Sequence, residues 1–164
     1  WANKTIMFIT MLILIAGCFD TLYSIRMTHN GSFYLLYLLC LIWGADSGAY
    51  FAGKAFGKNK LIPKVSPGKT IEGAAGALSI VLIVATVALY YFKIEAISQW
   101  YLVSVLVFIS SIFGDLLISM FKRRANLKDT GSILPGHGGI LDRIDSLLCA
   151  SVFYYFFMNA FKFI

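Results

Sequence analysis

The residues best suited to chemistry lie between Gly114 and Ser146, a stretch that concentrates charge within an otherwise apolar chain. Asp142 and Asp145 are spaced i and i+3 at the start of an apolar run, so they share one face of a helix. Mg²⁺ takes oxygen ligands and usually binds through one or two carboxylates plus substrate phosphates. With Arg143 between them, the two acids therefore predict a site for a divalent metal and a phosphate, although carboxylates also favour a helix N-terminus on electrostatic grounds alone.

A second set of polar residues closes the preceding apolar run. Asp115, Ser119 and Lys122 follow one another at i, i+4 and i+7, which places them on a single helix face. An acid, a hydroxyl and a cation in a row could hold a metal ion and an anionic ligand together. The simpler alternative is a helix-packing hydrogen bond for Asp115 with a routine basic flank.

The loop between these two sets, residues 125–143, is rich in residues that bind anions. It contains Lys128, Asp129 and a Pro-Gly-His-Gly-Gly turn at 135–139, whose glycines let backbone amides approach a ligand closely. His137 in such a turn is often only a turn residue. Its position between glycines makes it a candidate contact for phosphate or nucleotide.

A lysine-rich loop precedes the third apolar run. Its Gly68-Lys69-Thr70 resembles the end of a nucleotide P-loop, but that motif requires a glycine where Pro63 stands and a preceding strand. The P-loop interpretation therefore fails. Ser66, Lys69 and Thr70 remain suited to a lipid headgroup or a triphosphate, with simple attraction to acidic lipid as the alternative.

Asp46 and its neighbour Ser47 fall within the second apolar run. An ionisable group inside such a segment is costly unless it faces a partner or a watery cavity, so Asp46 is a functional candidate. Gly44 and Gly48 form a GxxxG spacing, which predicts close helix packing. Asp20, near the outer end of the first run, can reach the interface and is a weaker candidate.

Composition identifies an integral membrane protein. Apolar residues make up 59% of the chain and charged residues only 13%, against about 45–50% apolar in a soluble domain. We predict an all-α, polytopic helical membrane protein with about five transmembrane helices, because runs of about 20 residues can span a bilayer and none alternates like a barrel strand. The runs are 5–25, 33–53, 71–92, 99–120 and 144–163.

The basic residues predict the orientation of these helices. Of the 14 lysines and arginines, all but Arg26, Lys93 and Lys162 fall on the side that holds the N-terminus and the two polar loops. The positive-inside rule places that side, with the active site, in the cytoplasm. The net charge of +6 thus reports topology, and no nucleic-acid partner is expected. The three cysteines lie in apolar runs without CxxC spacing and are expected to be buried free thiols.

Two segments resemble a known family. Residues 119–145, SMFKRRANLKDTGSILPGHGGILDRID, closely resemble the signature of the phosphatidate cytidylyltransferases, also called CDP-diacylglycerol synthases. In that signature a serine, Lys-Arg, Lys-Asp, His-Gly-Gly and Asp-Arg-x-Asp recur at these spacings. Residues 46–73, DSGAYFAGKAFGKNKLIPKVSPGKTIEG, resemble the family's second conserved region. Together the two segments cover about a third of the chain.

The resemblance implies transfer of CMP from CTP to phosphatidate, with Mg²⁺ as cofactor and room for a second cation. Metal would be held by Asp115, Asp142 and Asp145, which are catalytic together with Lys122 and Arg123. The implied substrate-binding residues are Asp46, Ser47, Ser66, Lys69, Thr70, Ser119, Lys128, Asp129, His137, Gly138, Gly139 and Arg143. The resemblance also implies CTP, phosphatidate and membrane lipids as partners, a homodimer and a bacterial inner membrane. Residues 1–164 are then expected to form a single transmembrane catalytic domain, the C-terminal portion of a longer chain, since the sequence starts inside an apolar run.

Three other functions are compatible with parts of the pattern. A related cytidylyltransferase acting on an ether-linked or isoprenoid lipid phosphate would have the same headgroup site. A transporter or channel would account for acids within apolar runs at Asp46 and Asp115, although its polar residues should be spread along several helices. A non-catalytic lipid-binding scaffold would need the lysines and gain nothing from Asp142 and Asp145.

Overall fold

The computed structural model describes residues 3–62, 66–127, 130–131 and 139–164. Five α-helices and one short β-hairpin account for most of these residues, which confirms the predicted helical fold. The helices are α1 (Lys4–Met27), α2 (Gly31–Phe56), α3 (Ile71–Phe92), α4 (Ile97–Arg124) and α5 (Leu141–Ala160). The antiparallel hairpin, β1 (Lys60–Ile62) and β2 (Ser66–Thr70), was not predicted; Lys60 pairs with Thr70.

Four helices in the described part of the chain, α1 to α4, are long and apolar enough to cross a membrane. The chain is therefore an integral membrane protein. The fifth predicted run, 144–163, falls mostly in α5, which is not among the four; Asp142, Arg143 and Asp145 lower the hydropathy of its first turns. This helix is nevertheless a full member of the bundle: it packs against α1 and α4, and its Leu148 and Tyr154 are completely buried.

Glycines allow α2 and α3 to pack in close contact. A Cβ atom added at Gly48 would lie 2.8 Å from the Gly76 carbonyl oxygen, and one added at Gly76 would overlap the Cβ of Ala52. A Cβ at Gly44 would come within 3.0 Å of the Ile80 side chain. The predicted role of the GxxxG spacing in helix packing is confirmed. These contacts fix the position of α2, which carries Asp46, relative to the start of α3, which follows Lys69 and Thr70.

Gly76→Ala is expected to force α2 and α3 apart, since the added methyl group would overlap Ala52. Overpacking of this kind costs about 1–3 kcal/mol of unfolding free energy, so thermal unfolding in detergent should begin at a lower temperature. Gly17→Ala is the matched control, because its Cβ would meet Val152 at 3.5 Å, an ordinary contact. Equal midpoints for the two variants would contradict this account of the packing.

The opposite end of the bundle has an aromatic core. The rings of Tyr37 and Trp100 stack with centroids 4.5 Å apart, and the Tyr37 hydroxyl lies 2.6 Å from the Ser104 hydroxyl. Trp100, which is fully buried, donates its indole N–H to the Ala85 carbonyl at 3.0 Å. Because buried polar groups are costly unless hydrogen-bonded, these pairings favour one arrangement of α2, α3 and α4.

Candidate active site

The candidate site lies at the end of the bundle where α2 and α4 finish and α3 and α5 begin. The β-hairpin connects α2 to α3 at this end, and residues 125–140 connect α4 to α5. Thr70 caps α3 by accepting a hydrogen bond from the Gly73 amide at 3.0 Å. The Glu72 side chain instead accepts hydrogen bonds from the amides of Lys58 (3.1 Å) and Asn59 (3.2 Å), which ties the start of the hairpin to α3.

At Asp115 the lysine-rich loop contacts helix α4. The Asp115 Oδ2 atom forms an ion pair with the ammonium of Lys69, which the hairpin presents. Its Oδ1 atom accepts a hydrogen bond from the Ser119 hydroxyl one turn along α4, at 3.2 Å. Both partners are residues that the sequence nominated. The structure therefore brings Asp115, Ser119 and Lys69 together.

Asp142 is held by four donors. Its Oδ1 atom accepts from the Lys122 ammonium at 2.8 Å, and the two side chains are only 7% and 14% exposed. Its Oδ2 atom accepts from the Thr130 amide and hydroxyl, each at 2.9 Å, and from the Gly139 amide at 2.8 Å. Asp142 thus links Thr130 and Gly139 to α5 and, through Lys122, to α4.

These contacts determine the ionisation of Asp142, which lies outside the four spanning helices. Burial raises its pKa, but the hydrogen bonds from Lys122, Thr130 and Gly139 have the larger combined effect and hold the pKa well below its usual range. The carboxylate is therefore charged throughout the physiological pH range. Thr130 was not predicted as a site residue, since a single threonine in a loop carries no sequence signal.

Carboxylates from two other helices lie near enough to Asp115 of α4 to interact with it. Asp145, on α5, is close enough to Asp115 and Lys122 to interact with them electrostatically. Asp46, on α2, interacts with Asp115 and Lys69. The approach of α5 to α4 depends on a glycine preceding Asp115, because a Cβ there would lie 2.7 Å from the Asp145 carbonyl oxygen.

Two of the three predicted magnesium ligands, Asp115 and Asp145, are near enough to interact with each other. Among the described residues, no group of three or more histidine, cysteine or acidic side chains forms a metal-ligand cluster. Mg²⁺ needs only one or two carboxylates plus substrate phosphates, and the like charges of Asp115 and Asp145 would favour a cation between them. Both oxygens of Asp142 accept hydrogen bonds, and both oxygens of Asp115 also have partners, so either carboxylate would exchange a partner for a metal ion. The three-acid assignment stays a prediction.

A cavity of about 190 Å³ opens beside these acids. Asp46 and Tyr50 of α2 line one side, and Lys69 and Thr70 of the hairpin line another. Ser146 of α5 contributes a further polar side chain. The cavity is therefore lined mainly by the segment 46–73, and Ser146 lies one residue beyond the other family-like segment, 119–145.

The remaining predicted residues that the structure describes do not line the cavity. Ser47 and Arg123 are exposed, and Arg123 donates a long hydrogen bond of 3.5 Å to the Leu127 carbonyl. Ser66 begins β2 opposite Ile62, and Arg143 is an exposed residue of α5 between the two acids. The predictions at Lys128, Asp129, His137 and Gly138 lie outside the described residues.

Comparison with known proteins agrees with the geometry. The profile of the cytidylyltransferase family matches residues 2–161. The chain is 46% identical to the phosphatidate cytidylyltransferase of Haemophilus influenzae over 79% of this chain and 46% of the relative. It is 44% identical to that of Bacillus subtilis over 94% of this chain and 59% of the relative, and 48% identical to that of Pseudomonas aeruginosa over 71% and 44%. The chain thus spans about half the length of the curated relatives it matches.

Proposed function

The chain belongs to the cytidylyltransferase family, and from that premise we propose that it transfers CMP from CTP to phosphatidate, releasing pyrophosphate and CDP-diacylglycerol. The observation that carries the proposal is the ion pair of Lys69 with Asp115 at a cavity lined by Asp46 and Lys69, with Asp145 near enough to Asp115 to interact with it. A triphosphate and a metal ion both find complementary charges there. The site also lies at one end of a membrane bundle, where a lipid headgroup is accessible.

The reaction needs a nucleophile, and phosphatidate supplies it. One of its phosphate oxygens attacks the α-phosphorus of CTP, a new P–O bond forms, and the bond to the β-phosphate oxygen breaks so that pyrophosphate leaves. A phosphate monoester with a second pKa of about 6 is already largely ionised at pH 7. A general base is therefore not required, and the protein's task is to align the reactants and stabilise charge.

Four side chains supply this charge stabilisation. Asp115 and Asp145 would hold Mg²⁺, which when bound neutralises phosphate charge and orients the displacement. Lys69 would move from Asp115 towards the triphosphate, since its ion pair is accessible at the cavity. Lys122 stays with Asp142 and adds positive charge near Asp145.

The orientation and assembly form part of the proposal. The excess of basic residues at the site end favours the cytoplasmic side, and the bacterial relatives favour the bacterial inner membrane. The homodimer implied by the sequence resemblance is a further proposal, which light scattering of the purified protein in detergent would check.

The test is the release of pyrophosphate from CTP by the detergent-purified chain, with phosphatidate and Mg²⁺ present together or omitted one at a time. We expect turnover only when all three components are present. An ether-linked lipid phosphate is included as a competing acceptor, and faster turnover with it would change the assigned substrate. Absence of both turnover and Mg²⁺-dependent CTP binding, or substrate-dependent flux in proteoliposomes, would overturn the proposal.

A further inference from the structure

We propose that the half of α2 nearest the site carries a binding site for the acceptor lipid, with Lys54 on the phosphate monoester. The acyl chains would lie along the α2 aromatic face, which consists of Trp43, Tyr50 and Phe51. The inference rests on the proposed function, because it locates the lipid substrate of that same reaction.

The α2 aromatic face has the position and length of one lipid chain. Trp43, Tyr50 and Phe51 are 60%, 61% and 69% exposed, and their spacing of i, i+7 and i+8 places them on one stripe of the helix. At 1.5 Å per residue, Trp43 and Lys54 are separated by about 16 Å along the axis. One leaflet supplies about half of the roughly 30 Å hydrocarbon thickness. The stripe therefore matches one leaflet.

Lys54 is the cation at the polar end of this stripe. Its ammonium lies 5.8 Å from the centroid of the Tyr50 ring, in keeping with the lean of helical side chains towards the N-terminus. Within the described residues, Lys54 forms no ion pair, whereas Lys69 and Lys122 are each paired with an aspartate. A phosphate monoester carries about −1.5 to −2 charge at pH 7. Lys54 is therefore available to complement that charge.

Tyr50 connects this stripe to the candidate active site. The residue lies one turn from Asp46 on one side and one turn from Lys54 on the other, and it lines the cavity together with Lys69. A phosphate beside Lys54 and Tyr50 is thus at the cavity mouth, while the attached chains remain against apolar side chains. Free phosphate would gain nothing from the stripe, so the ligand is a lipid.

The test uses tryptophan quenching by lipids that carry bromine on their acyl chains. The chain is reconstituted into phosphatidylcholine vesicles containing equal fractions of brominated phosphatidate, phosphatidylglycerol or phosphatidylcholine. Subtracting the signal of Trp43→Phe isolates Trp43 from the other two tryptophans. We expect phosphatidate to quench Trp43 at about fivefold lower concentration than phosphatidylglycerol, from about 1 kcal/mol per lysine near the surface.

Lys54→Gln is expected to abolish this preference, and Lys54→Arg to retain most of it. Lys58→Gln, an equal charge change beyond the end of α2, should leave the preference in place. Equal quenching by phosphatidate and phosphatidylglycerol would show that α2 attracts acidic lipids in general, and it would overturn the inference. A preference that survives Lys54→Gln would also overturn it. No CTP is present, so this result is independent of whether the chain turns over.

Discussion

Asp115→Asn is expected to lower turnover about a thousandfold and to remove Mg²⁺-dependent binding of CTP. The substitution removes one of the two carboxylates proposed to hold the metal and also releases Lys69 from its ion pair. Metal ions contribute several kcal/mol of charge stabilisation in such reactions, and about 4 kcal/mol corresponds to a thousandfold in rate. Equilibrium dialysis of labelled CTP, with and without Mg²⁺, measures the binding.

Asp20→Asn is the matched control for this experiment. It makes the same change in charge on α1, where Asp20 lines a shallow groove against α5 rather than the site. Its CTP binding and turnover should equal those of the unsubstituted chain. If Asp115→Asn kept its metal-dependent CTP binding and lost only a titrating step in the pH profile of kcat, Asp115 would be a general base and the proposed role would be wrong.

Asp142→Asn is expected to destabilise the protein by about 3 kcal/mol, the cost of breaking a buried ion pair by removing one partner. The substitution leaves the Lys122 ammonium, 14% exposed, without its acid, and it can place an amide N–H₂ group against the donors of Thr130 and Gly139. Thermal unfolding in detergent, followed by near-ultraviolet circular dichroism, should show a lower midpoint. Asp20→Asn again provides the control.

The stability difference between the unsubstituted chain and Asp142→Asn is expected to shrink as the pH falls. The folded state lowers the pKa of Asp142, so its carboxylate contributes stability above the unfolded pKa of about 3.9 and loses that contribution as the pH falls through the folded value. The stabilities of the unsubstituted chain and Asp142→Asn should therefore converge in acid. An unchanged midpoint combined with lost Mg²⁺-dependent CTP binding would instead identify Asp142 as a metal ligand.

The helices were predictable from sequence because their apolar runs are long. The predicted run 71–92 coincides with α3, whereas α4 extends beyond the predicted 99–120 to Arg124. Basic residues there continue the helix because cations at a helix C-terminus interact favourably with its dipole. The β-hairpin was missed because lysine, proline and glycine are depleted in strands. The residues that lead into the hairpin, Lys58 and Asn59, are held by hydrogen bonds to Glu72, so the hairpin does not depend on the strand propensity of its residues.

The roles of the predicted site residues stay predictions, but some of the contacts between them could be anticipated from the sequence. Spacing along one helix correctly placed Ser119 beside Asp115. The ion pair between Lys69 and Asp115 joins the β-hairpin to α4, two elements distant in sequence, so only the folded bundle reveals it. Similarly, no pattern in the sequence indicates that the donors of Thr130 occupy an oxygen of Asp142.

If Mg²⁺ binds Asp115 as proposed, the ion pair between Lys69 and Asp115 makes metal binding an exchange of one cation for another. An ammonium must leave the carboxylate before a dication can take its place, and the released ammonium then lies where a triphosphate would bring negative charge. Metal bound alone would leave the Lys69 ammonium without a counter-ion. Nucleotide bound alone would attract Lys69 and leave the Asp115 carboxylate without a cation. Each ligand therefore lowers the cost of binding the other, and reciprocity requires the two effects to be equal in free energy. Under the proposed function, a side-chain contact within the resting protein would thus couple the affinities for nucleotide and metal.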